Sequence, residues 1–350
     1  MTRDPALSLV IAAIGARISG EAVLLPAGAI DWPAVGHRLE RHRIEALAAA
    51  PLRATRALPA ALEQQLRDAE LATVVASQRA IAASARIAAA FARAGIDLLF
   101  VKGATLAALA WPPNTPRMSL DIDLLVAPTD VGGAAAALAA LGATPLVPAD
   151  PARIERWHRV HKESQWRLAD GQLVDLHSRL ADDARMIPTL GLASPRQPVA
   201  VGGGVVLDTL ADEQLFTYLC VHGQSSGWFR LKWIADVAAL LAGRSGNEIC
   251  RLHDRAVALG AGRTPAVALT LVRNLFGVAL EPLLAARLAQ DRAAPWLVRL
   301  AHNLIDDPRE PTAHRLGTLP IRVGQMLAMR GPRFALGNAA RQLRDMAVRG

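Results

Sequence analysis

Two aspartates flanking one isoleucine, Asp121-Ile122-Asp123, restrict what this chain can fold into more than any other feature. They close the segment 98–126, LLFVKGATLAALAWPPNTPRMSLDIDLLV, whose pattern predicts a strand, a Lys102-Gly103 turn, a short helix, a Pro-rich loop and a second strand. In a strand, side chains at i and i+2 share a face, so Asp121 and Asp123 point the same way while Ile122 is buried behind them. Two adjacent carboxylates repel each other and desolvate badly unless a cation lies between them. Hard oxygen ligands at a strand end suit Mg²⁺, which completes its shell with phosphate oxygens and water. A bare Asp-x-Asp also occurs on solvated strand ends, so the surrounding residues must carry the argument.

Those residues point to an anion. Gly103 follows the apolar run Leu98 to Val101 and opens a helix, whose first backbone N–H groups face outward. Thr105 places a hydroxyl in that first turn. Arg117 precedes Asp121 by four residues, where a guanidinium can reach a phosphate. A third carboxylate follows in 164–180, SQWRLADGQLVDLHSRL, which predicts a hairpin about Asp170-Gly171. Asp175 lies among β-formers in its second run, and His177 shares its face. Three such carboxylates can hold two Mg²⁺ ions about 3.5–4 Å apart, and the third can take a proton from an attacking hydroxyl.

In this order and spacing the residues resemble the minimal nucleotidyltransferase core of the polymerase-β superfamily. The closest resemblance is to its uncharacterised bacterial nucleotidyltransferase branch, over roughly residues 30–245. The matching elements are Lys102-Gly103, Arg117, Asp121 to Val126, Val174 to His177, and His222-Gly223 with Trp228 to Asp236. The resemblance implies an α+β fold, a mixed sheet with helices, flanked by helical regions at both ends. It implies metal ligation and catalysis by Asp121, Asp123 and Asp175, with NTP as substrate and a two-metal Mg²⁺ site. Lys102, Gly103, Thr105, Arg117 and Lys232 would hold the triphosphate. The superfamily turn usually reads Gly-Gly or Gly-Ser, whereas here Ala104 follows Gly103, which puts the nucleotide grip in question more than the metal ligands.

Lysine usage is an independent signal. Only three of the 39 basic residues are lysines, and Lys102, Lys162 and Lys232 each fall in a segment singled out on other grounds. A compact ammonium retained in an Arg-rich chain suits a point charge rather than a planar fork. The pattern of 212–242 predicts one helix that carries Trp228, Lys232 and Asp236 at i, i+4 and i+8. That face either meets the triphosphate or holds an ordinary Lys–Asp pair beside a packed Trp. His222 reads as structural, and His158 and His161 as candidates for lining a cleft.

Length and pattern set the organisation: a helical region over 1–97, the nucleotidyltransferase α/β core over 98–208, a helical domain over 209–305 and a basic tail over 306–350. Asp31-Trp32-Pro33 predicts a helix start, with the helix running on to residue 50, and 58–94 predicts a long helix. Mean hydropathy is +0.24, largely from alanine, and no apolar run reaches the 18 residues of a membrane span. Asp4 and the lack of a small-residue cleavage site argue against a signal peptide, and Cys220 and Cys250 read as core thiols, so the expected location is the cytoplasm. Residues 308–350 carry eight arginines against Glu310 and Asp345, most of the whole-chain charge of +8. Phe334 is the tail's one aromatic, so the interleaving needed for base stacking is absent and packing on the body is the favoured role.

The function expected is transfer of an NMP from an NTP to an acceptor hydroxyl or phosphate on a small molecule, peptide or protein, with release of pyrophosphate. Two other readings remain: a catalytically degenerate nucleotide-binding or antitoxin-like scaffold, and an RNA-acting nucleotidyltransferase. The three carboxylates count against the first, and only the basic tail favours the second.

Overall fold

Capping residues start several helices as their chemistry requires. In the computed structural model, which describes residues 4–329 and 331–349, Asp4 accepts from the Ala6 N–H to open α1 (Pro5–Ser19) and Asp31 accepts from the Ala34 N–H to open α2 (Trp32–His42). The expected continuation of α2 breaks at Arg43, which is left-handed at φ 55°, and α3 (Glu45–Ala54) follows. The long helix expected over 58–94 is α4 (Ala60–Arg93). The α/β segment then runs β1 (Leu99–Phe100), α5 (Ala104–Ala110), β2 (Asp121–Leu125), α6 (Val131–Ala140), β3 (Thr144–Val147), α7 (Ile154–His158), β4 (Glu163–Arg167), β5 (Leu173–His177), β6 (Arg196–Gly202) and β7 (Val205–Leu210). The remainder is helical: α8 (Asp212–Ser225), α9 (Leu231–Leu241), α10 (Gly246–Ala258), α11 (Thr264–Phe276), α12 (Pro282–Ala289), α13 (Ala294–Asp306), α14 (Leu319–Met326) and α15 (Pro332–Arg349). The fold is α+β, as the sequence implied.

The chain divides into two compact units. One comprises residues 1–70 and 216–350, the other Leu71–Leu215, so the boundary falls inside α4 and again inside α8. In the second unit a five-stranded sheet has the order β1-β2-β5-β4-β3, and β6 and β7 form a separate antiparallel hairpin. Among these pairings β2 and β5 run parallel, which requires a crossover; α6, β3, α7 and β4 supply it. One sheet face packs Ile122, Leu124, Val174, Leu176 and Trp166 against α4 residues Ala83, Ile87 and Phe91 and against Val131, Ala134 and Leu138 of α6. Each large side chain buried there contributes about 1.5–3 kcal/mol. Because strands alternate, burying that face turns the other, with Asp123, Asp175 and Glu163, toward the site.

The helical unit corrects the reading of 212–242 as one helix. It ends at Ser225 and resumes at Leu231; between them Trp228 is left-handed at φ 57°, and its N–H donates to the Gly223 carbonyl at 2.9 Å. The Trp228 ring folds back over Gly223, filling the space a Cβ would need. The His222-Gly223…Trp228 pattern is therefore a packing device, and the stripe of three on one helix reduces to Lys232 and Asp236 on α9. Arg230, just ahead of α9, donates to the Arg41 carbonyl at 2.8 Å and pairs with Glu310 at 2.8 Å. The tail packs in this unit as well: Gln325 donates to the Ser225 carbonyl, Phe334 is buried, and Gln342 ties α15 to Arg322 and Gln325 of α14. Arg330 and the side chains of Arg344, Asp345 and Arg349, part of the basic tail, lie outside the described residues. No described helix is long and apolar enough to cross a membrane.

Candidate active site

The parallel register of β2 and β5 builds the site. Asp123 lies directly beside Asp175, and Leu125 beside His177, so the second aspartate of the pair and the lone third aspartate are lateral neighbours on one face. The antiparallel register of β4 then sets Gln165 opposite Asp175 and Glu163 opposite His177. This register follows from the tight turn at Asp170-Gly171, where Gly171 takes φ 88° and the Asp170 carboxylate accepts from the Gln172 N–H. Asp123, Asp175 and His177 each offer one ligand atom within 4.8 Å of the others, a group that could hold a metal ion. Asp121 stands one pleat away on the same face, half-buried at the outer end of β2.

Charge is tightly coupled here. Lys102, at the end of β1, reaches Asp123 Oδ1 with its Nζ at 2.8 Å, and His177 Nε2 lies 3.2 Å from the same oxygen. Burial alone pushes the Asp123 carboxyl up, but the ammonium and the imidazole outweigh it and hold the acid well below the usual carboxylate range. The other oxygen, Asp123 Oδ2, is buried without a hydrogen-bond partner. His177 Nδ1 lies 3.3 Å from Glu163 Oε2, and Lys162 Nζ reaches that oxygen at 3.1 Å. Burial of Glu163 is outweighed by Lys162, His177 and Lys102, which lower its carboxyl to about 2. Asp175 responds in the opposite direction: burial first, then the Asp123, Glu163 and Asp121 charges, push it up to about 7. A divalent cation would reverse that shift, so the donor set fits a metal: two adjacent carboxylates, one orphaned oxygen and one proton held for lack of positive charge.

The turn beside the site is held from behind. Gly103 takes φ 68° and ψ −123°, a conformation that disfavours any L side chain. The Thr105 hydroxyl contacts the Phe100 carbonyl at 3.1 Å and the Lys102 carbonyl at 3.0 Å, closing the turn. Arg117 is buried, with Nη1 3.5 Å from the Gly103 carbonyl. The structure thus brings Lys102, Gly103, Thr105, Arg117, Asp121, Asp123 and Asp175 into one unit; Lys232 lies on α9 of the other unit. His158 is tied to Ser178 at 2.8 Å and Ser164 at 2.9 Å, and burial lowers its pKa to about 4, a structural arrangement. His161 stacks on Trp157.

Glu163 is the site residue that sequence reasoning passed over. The signal was present: once the hairpin turn is placed at Asp170-Gly171 and Ser164 and Trp166 face inward, Glu163 must face the same way as His177. No curated protein and no solved structure matches the chain. A family model described as uncharacterised nucleotidyltransferase does, over residues 28–277, which takes in the Gly turn, all three aspartates and the helices through α11. With that span matched and the carboxylates side by side, the chain belongs to the uncharacterised nucleotidyltransferase family.

Proposed function

We propose that this protein is a Mg²⁺-dependent nucleotidyltransferase that moves an NMP from an NTP to an acceptor hydroxyl or phosphate and releases pyrophosphate. The observation that carries the reading is the lateral pairing of Asp123 with Asp175 beside the orphaned Asp123 Oδ2. Asp121, Asp123 and Asp175 are the residues that would hold the metal. Bound there, divalent ions supply charge neutralisation at the α-phosphate and lower the pKa of the attacking hydroxyl. Asp175, the lone carboxylate of β5 beside Asp123, is proposed as the group that accepts the acceptor's proton. Lys102, which pairs with Asp123 and precedes the Gly103 turn, would meet the triphosphate. Arg117 and Thr105 keep that turn in shape, so backbone N–H groups face the phosphates. Lys232 is proposed as a further phosphate contact, and the acceptor as a small molecule, peptide or protein.

The test is incubation with each labelled NTP and Mg²⁺ together with candidate acceptors, following pyrophosphate and a mass gain of one nucleotide. Asp121→Asn and Asp123→Asn should each abolish turnover with the fold intact. Calorimetry with Mg²⁺ and a non-hydrolysable NTP should show binding lost in both variants, and retained wild-type binding in Asp121→Asn sinks the proposed site.

A further inference from the structure

An acceptor whose hydroxyl gives its proton to Asp175 must lie beside that carboxylate, and strand register leaves it one side. Asp123 of β2 flanks Asp175 on the metal side, and Gln165 of β4 lies directly opposite on the other. The row continues onto β3 with Val147, and one step outward a second row runs Asp121, Leu173, Arg167 and Thr144. Partners in register share a face, as do residues two apart on a strand, so both rows lie on the face that carries the acids. Toward the inner end this face is closed by the contacts of Glu163 with Lys162 and His177. Toward the outer end it is open: Gln165, Arg167 and Thr144 are exposed, and Val147 is 40% exposed. The two lysines that reach this face, Lys102 and Lys162, are each paired with a carboxylate. Arg167 is not: among the described residues its side chain makes no ion pair or hydrogen bond, and neither does the Gln165 amide.

Resting on the nucleotidyltransferase reading of this site, we propose that the open β4 side of the face seats the acceptor, and that the acceptor is a small hydroxyl-bearing compound carrying an oxyanion. Gln165 holds it next to Asp175 with an amide that both donates and accepts. Arg167 binds the oxyanion, carboxylate or phosphate, through its planar fork. Half-buried Leu173 and exposed Val147 give the carbon chain between the two polar ends an apolar floor. Charge fixes the orientation. Asp121 and Arg167 occupy one row two strands apart, about 9–10 Å, so the metal side takes the triphosphate while the lone guanidinium is left for a second anion.

The test uses γ-hydroxybutyrate and α-glycerophosphate as probes, with neutral γ-hydroxybutyramide and glycerol as their controls. Each is added to the full-length protein with a non-hydrolysable NTP and Mn²⁺ standing in for Mg²⁺, and binding is read by NMR relaxation of the probe protons. Both anionic probes should bind at least about tenfold more tightly than their controls. Protons on the hydroxyl-bearing end should relax faster than those beside the oxyanion, because the ion lies at the aspartates. Arg167→Gln should erase the preference for the anionic probes while nucleotide binding persists, and Gln165→Ala should weaken charged and neutral probes alike. Tighter binding of one anionic probe than the other tells carboxylate from phosphate. Equal binding of charged and neutral probes, no binding at about 50 mM, or faster relaxation at the oxyanion end overturns the proposal. Loss of nucleotide binding in Arg167→Gln also overturns it, by assigning the guanidinium to the triphosphate. Oriented anionic probes in a protein that releases no pyrophosphate from any NTP would instead refute nucleotidyl transfer, leaving the anion seat standing.

Discussion

Replacing Asp175 by Asn should stabilise the metal-free protein, and the gain should depend on pH. The folded carboxyl titrates at about 7, against an ordinary 3.8. In the unfolded chain it ionises near pH 4, whereas in the fold it keeps its proton until about pH 7. Wild-type stability therefore falls as pH climbs through that window and stays lowered above it. Three units correspond to about 4 kcal/mol at most, and solvent reaching the half-buried group reduces this to about 2–4 kcal/mol. Asn mimics the protonated acid and carries none of this loss. Urea denaturation, read by hydrogen-exchange mass spectrometry of β2 and β5 peptides, should place Asp175→Asn about 2–4 kcal/mol above wild type at pH 8 and within about 0.5 kcal/mol at pH 4. Saturating divalent ion should reverse the order, since only wild type gains the full linkage term. Turnover of Asp175→Asn should fall by several orders of magnitude with nucleotide still bound. A gap that is the same at both pH values, or a variant less stable at pH 8, refutes the account in which burial and three neighbouring acids keep Asp175 protonated.

Four further outcomes follow from the geometry. Lys102→Met strands the buried Asp123 charge, so the metal-free protein should lose about 3 kcal/mol in chemical denaturation. The same variant should bind Mn²⁺ alone more tightly while its KM for NTP rises; weaker metal binding would show that Lys102 does not compete with the ion. Gly103→Ala has room, with the nearest atom to the new Cβ at 3.5 Å, so its cost of about 1–3 kcal/mol, measured by calorimetry, comes from φ 68° alone. Gly223→Ala drives a methyl into the Trp228 ring and should destabilise by about 1–3 kcal/mol or more, read by tryptophan fluorescence and thermal melting. Lys232→Ala should raise the KM for NTP or lower kcat at least about tenfold, about 1.4 kcal/mol; unchanged kinetics would leave Lys232 as a surface residue of α9.

The acids were legible because alternation in a strand is local: Asp121 and Asp123 share a face whatever β2 pairs with, and the Asp-Gly turn sets the register of β4 on β5 unaided. The partner of β2 was not legible, because parallel pairing depends on a crossover through α6, β3, α7 and β4 rather than on any short pattern. Two strands escaped for a related reason. β3 contains Pro145 at the sheet edge and β6 contains Pro198 in a two-stranded hairpin, positions where proline is tolerated but reads as a loop. The break between α8 and α9 was hidden because it rests on a tryptophan in left-handed geometry. Side-chain packing imposes that conformation against backbone preference.

The parallel pairing of β2 with β5 also carries a timetable. A ribosome delivers β1 and β2 together, and with them both partners of the Lys102–Asp123 ion pair. Asp175 and His177 emerge only after α6, β3, α7 and β4 have been made. Throughout that interval the early acid is neutralised from within, by a charge that needs no ion from the cell. The grouping of Asp123, Asp175 and His177 arises when β5 docks, a late long-range event that also completes the sheet. A chain that ends before β5 therefore lacks this grouping, and the proposed metal site cannot assemble until that docking has taken place.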